Sequence, residues 1–103
     1  MNAIQIPLRE EMDATRAKLC AESCARVFAT AVTEARSAVA NRTRTPAQAF
    51  ATVRRRYDSL RAEYFSKRSP WGTPEATDRD WHEHGPAREF AALYREFFPA
   101  VQS

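Results

Sequence analysis

A chain of 103 residues has room for one modest hydrophobic core, which argues against separate catalytic and binding domains. Only two glycines occur, so there is no P-loop, dinucleotide-binding turn or nucleophile elbow to carry enzyme chemistry. The 16 Lys and Arg against 13 Asp and Glu leave a net charge of +3, too little to identify a nucleic-acid partner by itself.

The charge is unevenly distributed. Residues 1–41 carry five charges of each sign, residues 42–68 carry eight positive against two negative, and residues 69–103 carry three positive against six negative. An acidic last third could therefore neutralise a basic middle within one molecule. The N-terminus lacks a basic stretch followed by an apolar run, and no segment approaches the roughly 20 apolar residues of a membrane span. These features predict a soluble, cytoplasmic protein with no membrane association. Cys20 and Cys24, four apart on a helix, have poor geometry for bonding each other and are expected to be reduced thiols.

Abundant alanine, scarce glycine and the absence of strand-like alternation predict an all-α fold over one helical domain, residues 1–103. The expected architecture is a small three- to four-helix bundle with a long first helix, a basic second helix and a turn-rich segment before the C-terminal helix. The first helix should begin near Pro7, where proline suits the first turn, and end near Ala40 before the polar connector Asn41, Arg42, Thr43 and Arg44. It carries two apolar stripes. Leu8, Met12 and Leu19 form one; Cys20, Cys24, Val27, Phe28, Ala31, Val32, Ala35 and Val39 form a wider one rotated well away from it. Either the helix breaks near residues 13–19 or its two ends face different neighbours. An unbroken helix would measure about 50 Å against roughly 33 Å for the second. The overhang would offer an apolar stripe to another chain, a homodimer partner included.

The second helix has the clearest start signal. Thr45, Pro46, Ala47 and Gln48 fit a capping box with proline in the first turn. Phe50, Val53, Tyr57, Leu60 and Tyr64 then recur at spacings of three and four, which places them on one side. Arg54, Arg55, Arg56, Arg61, Lys67 and Arg68 surround that side. Ser69-Pro70-Trp71-Gly72-Thr73-Pro74 should turn the chain sharply. Thr73, Pro74 and Glu75 then cap a short helix reaching His84, with Gly85 ending it. A last helix over Pro86–Phe98 would present Phe90, Leu93, Tyr94, Phe97 and Val101 before Pro99 stops it.

Successive helical residues fan out by about 100°, so Arg54, Arg55 and Arg56 cannot form one stripe. Arg54 and Arg61 share a flank on which Asp58 could pair with either. A solvated helix surface with local ion pairs is the ordinary outcome for such a segment. In an extended segment Asp78, Asp80, His82 and His84 would point to one side and suit a divalent metal, whereas a helix would scatter them. The helix start at Thr73 favours scattering, so no metal, cofactor or catalytic site is expected there. A zinc set of Cys20, Cys24, His82 and His84 lacks the usual close cysteine pair.

The aromatic C-terminal third should mostly complete the core, with an exposed remainder able to anchor a protein partner. The resulting expectation is a non-enzymatic protein that binds another protein as a regulator, adaptor or inhibitor of a larger assembly. Arg54, Arg56, Arg61, Arg68, Trp71, Trp81 and Phe98 are the candidate contact residues. The alternative is a nucleic-acid binder using Arg42, Arg44, Arg54, Arg55, Arg61 and Arg68, with affinity falling steeply as salt rises.

Overall fold

The computed structural model describes residues 2–99, with side chains for residues 11–99. Four helices follow one another: α1 (Asn2–Ala40), α2 (Pro46–Arg68), α3 (Pro74–His84) and α4 (Ala87–Phe97). No strand occurs among the described residues. No helix among them is long and apolar enough to cross a membrane. The chain is an all-α bundle whose backbone is the antiparallel α1–α2 pair, with α3 and α4 packed against it.

The first helix is continuous, so the change of stripe near residues 13–19 marks a change of surroundings and not a break. It begins at Asn2, earlier than the proline signal suggests, and Pro7 lies inside it. A proline there forgoes only the bond to the carbonyl four residues earlier, close to a helix end where little ladder exists to lose. At 39 residues α1 is about 58 Å long, while the 23 residues of α2 span about 34 Å. The molecule extends 62 × 26 × 17 Å as a result.

Ala17, Ala21, Phe28, Val32 and Ala35 of α1 are buried against Ala49, Val53, Leu60 and Tyr64 of α2. Small residues on α1 let the two backbones approach, and the larger α2 side chains fill the space between them. The connector closes this hairpin without glycine. Arg42 takes a left-handed φ of 60°, and the amides of Arg42 and Thr43 turn back to the carbonyls of Val39 and Ala38 at 3.1 and 2.9 Å. The capping box of α2 forms in full: the Gln48 amide donates to the Thr45 hydroxyl at 3.2 Å, and the Thr45 amide donates to Gln48 Oε1 at 3.0 Å.

An aromatic run joins the last two helices to this pair. Tyr57 stacks on Phe90 with ring centroids 4.1 Å apart, Phe50 stacks on the other part of the row at 5.2 Å from Phe90, and Phe28 meets Phe90 edge-on. Trp81 of α3 is fully buried and donates its indole N–H to the Tyr57 hydroxyl at 2.8 Å. A buried tryptophan contributes a large apolar area, and pairing its one polar atom removes the penalty for burying it. Gly85 ends α3 as expected. A Cβ there would come within 2.5 Å of the Trp81 carbonyl oxygen, so close packing requires the missing side chain. On α4, Leu93 is buried, Phe90 and Phe97 pack against the core, and Tyr94 lies largely at the surface. Val101 lies outside the described residues.

Candidate partner-binding surface

Two arginine-bearing regions of α2 differ sharply. At its C-terminal end Arg68 is 4% exposed. Its Nη1 donates to the Tyr64 hydroxyl and to Asp80 Oδ2, both at 2.8 Å. The Tyr64 hydroxyl in turn points at the Ala17 carbonyl 3.5 Å away, so one polar chain connects α1, α2 and α3. Trp71 lies against the guanidinium with 4.8 Å between its ring centroid and Cζ, and the Arg16 guanidinium sits 4.0 Å from the same ring. The Trp71 indole N–H donates to the Lys67 carbonyl at 3.0 Å, which closes the end of α2. Gly72 lets the backbone fold over the cation, since a Cβ there would fall 3.0 Å from Arg68 Nη2.

Burial alone would lower the pKa of Arg68, but the hydrogen bonds to Tyr64 and Asp80 together outweigh it and raise the value above the ordinary one. Burial raises the Tyr64 phenol as well, against the opposing pull of Arg68. The Arg68 Nε–H is buried without a partner. This region is a structural clamp: its charge is spent within the fold.

The other end of α2 is open. Arg42, Arg44, Arg54, Arg55 and Arg56 are exposed, and none has a carboxylate within 4.0 Å among the described residues. Asp58 does not pair with Arg54 or Arg61, contrary to the spacing argument. Arg61 reaches Asp78 of α3 at 3.7 Å and lies over the Phe65 ring at 4.3 Å. The acidic last third therefore covers the far half of the basic helix, through Asp78 and Asp80, and ties Glu96 to Arg36 of α1 at 2.8 Å. It leaves the near half free.

Between the open half of α2 and α1 runs a groove of about 480 Å³. Val27, Ala31 and Ala38 form one wall, Thr52 and Val53 the other, and Arg44 and Arg56 stand at the rim with Glu34 across from them. All its lining residues belong to α1, α2 or their connector, on the flank of α2 away from Phe50 and Tyr57, which α4 covers. Thr52 holds the rim in place: its hydroxyl accepts from Arg44 Nη1 at 2.8 Å. Val27 is 44% exposed because it lies at the edge of the wide α1 stripe, where helix spacing places it beside the partner helix and not beneath it.

Of the residues singled out from the sequence, Arg54 and Arg56 are surface groups. Arg68 and Trp81 are interior, Trp71 is half-buried between two guanidiniums, and Phe98 packs edge-on against Phe50 at 5.4 Å. The sequence singles out Arg44 only as a nucleic-acid contact and Val27 only as part of the wide α1 stripe. Thr52, one turn after the capping box, is the groove residue that sequence reasoning misses.

The helix at α3 regroups the acidic and histidine residues instead of scattering them all. Asp78 and His82 approach to 3.6 Å, while ligand atoms of Asp80, Glu83 and His84 lie within 4.8 Å of one another. Residues separated by three and four positions share a helix face, which is why this second set forms. Asp80 Oδ2 is already held by Arg68, so a cation there would compete with the guanidinium. Neither Cys20 nor Cys24 joins such a group among the described residues. Burial, reinforced by Glu63 and Cys20, pushes the Cys24 thiol above its ordinary pKa, which makes it a poor thiolate ligand or nucleophile.

No known protein family, curated protein or solved structure matches this chain.

Proposed function

We propose that the protein acts by binding, as a small non-enzymatic regulator, adaptor or inhibitor of a larger assembly in the cytoplasm. Its partner is a protein that lays an acidic amphipathic helix along the α1–α2 groove. The observation that carries this reading is the coincidence of an uncovered groove with unpaired arginines at its rim. The groove would take the partner's apolar side chains, and Arg44 and Arg56 would meet acidic groups flanking them. Exposed ion pairs contribute only about 0.2–1 kcal/mol each, so the arginines set partner choice and encounter rate while apolar burial supplies most of the affinity.

A fluorescein-labelled acidic amphipathic helical peptide, followed by anisotropy, tests this directly. Binding should weaken about tenfold or more in R44E/R56E, because two attractive contacts become repulsive. An absence of binding to the unaltered protein, or equal binding by the variant, contradicts the reading.

A second reading, contact with nucleic acid, is favoured by the same five arginines, Arg42, Arg44, Arg54, Arg55 and Arg56. Arg54, Arg55 and Arg56 fan around α2, with Arg42 and Arg44 in the connector before it, instead of lining one stripe, which suits irregular phosphate contact better than insertion into a groove of duplex DNA. Labelled mixed-sequence RNA and DNA in the same assay decide it: affinity falling steeply with salt supports this reading over the first.

A further inference from the structure

We propose that the N-terminal half of α1 is a self-association surface, on which a second copy of this chain lies antiparallel. The surface is separate from the α1–α2 groove and does not depend on it. Met12 and Leu19 are 62% and 54% exposed, the highest values among the large hydrophobic residues described. They are two turns apart, on the side of α1 opposite the buried Ala17 and Ala21. With Glu11, Thr15, Arg16 and Cys20 they line a shallow concavity of about 590 Å³ formed by α1 alone. Nothing else among the described residues covers this stripe, and at 39 residues α1 outreaches the 23 of α2 that pack beside it.

Charge selects the occupant. Glu11 and Lys18 are exposed, seven residues apart on one flank of the stripe, the same spacing as Met12 and Leu19. A two-fold axis passing near Thr15 sets Met12 against Leu19 of the second copy and Glu11 against Lys18 of the second copy, and each pairing occurs twice. In antiparallel helix pairs like flanks meet, so a parallel arrangement forfeits this match. On the opposite flank Arg16 leans onto the Trp71 ring at 4.0 Å and onto Asp13 at 3.4 Å, which sets its charge beside an acid of its own chain. A self-complementary patch of this kind fits a second copy better than an unrelated partner, which would have no reason to reproduce both spacings.

Sedimentation equilibrium of the full chain from micromolar to sub-millimolar concentration tests the proposal. The unaltered protein should dimerise, and M12E/L19E should be monomeric with an unchanged far-ultraviolet circular dichroism spectrum, since both side chains lie at the surface. E11K alone should weaken the dimer about tenfold through like-charge contacts, and E11K/K18E should restore it. R44E/R56E should dimerise normally, which separates this surface from the groove. A chain that stays monomeric throughout, or a dimer indifferent to M12E/L19E, overturns the interface. Failure of E11K/K18E to recover the dimer overturns the antiparallel pairing.

Discussion

The two ends of α2 carry the same residue type in opposite roles. Arg68, at the C-terminal end, is enclosed by Tyr64, Asp80, Trp71 and Gly72. Arg54, Arg55 and Arg56, near the N-terminal end, are exposed and meet no carboxylate among the described residues. What differs is the chain segment that arrives next to each. The turn after Arg68 leads into α3 and brings Asp80 onto the guanidinium, whereas the connector before Pro46 brings only Arg42 and Arg44. An arginine becomes part of the framework where the topology returns an acid to it, and otherwise stays available to a partner.

Substitution should separate the two ends by stability. Arg68→Ala strips the bonds to Tyr64 and Asp80 and leaves the part-buried Asp80 carboxylate with only the exposed Arg79, 3.5 Å away, and should cost about 1.5–3 kcal/mol, the range for losing a hydrogen bond to a charged group. Arg44→Ala with Arg56→Ala should change stability by no more than about 0.5 kcal/mol per site. Urea unfolding of both variants makes the comparison, and similar losses would erase the distinction.

A smaller effect follows from pH at the enclosed end. The Tyr64 phenol is raised above its ordinary value of 10.0 by burial, so the fold favours its protonated form. That contribution is complete below the unfolded value and is lost as pH rises through the folded one. Unfolding midpoints should therefore fall above about pH 10, and Tyr64→Phe should make that fall shallower. A stabilising change lies at the open end. Arg42 holds a left-handed backbone, φ 60°, and Arg42→Gly should raise stability by up to about 1 kcal/mol, the strain relieved being partly offset by glycine's greater freedom when unfolded.

Much of this fold is legible in the sequence because the signals are local. The capping box at Thr45, the seam from Phe50 to Tyr64 and the Thr73 to Gly85 helix each depend on residues within a few positions of one another. The Arg68 clamp depends on Asp80 and on Trp71 stacking, contacts made only after the turn is in place, so spacing alone reads Arg68 as one more surface cation. Trp81 is similar: its burial depends on Tyr57 offering a hydroxyl across the bundle and on Gly85 allowing close approach. The separate stripe of Met12 and Leu19 is legible as a periodic pattern, and the length of α1 predicts that it lies uncovered. Which face of α1 the second helix occupies is not legible, because it depends on packing across the pair.

Arginine side-chain N–H spectra, recorded by NMR while the acidic amphipathic peptide is added, test the contrast most directly. The Nε–H signals of Arg44 and Arg56 should shift progressively as the peptide binds, while that of Arg68 stays fixed and protected from solvent exchange. Movement of the Arg68 signal with Arg44 and Arg56 unchanged would show that the open groove is not the binding surface.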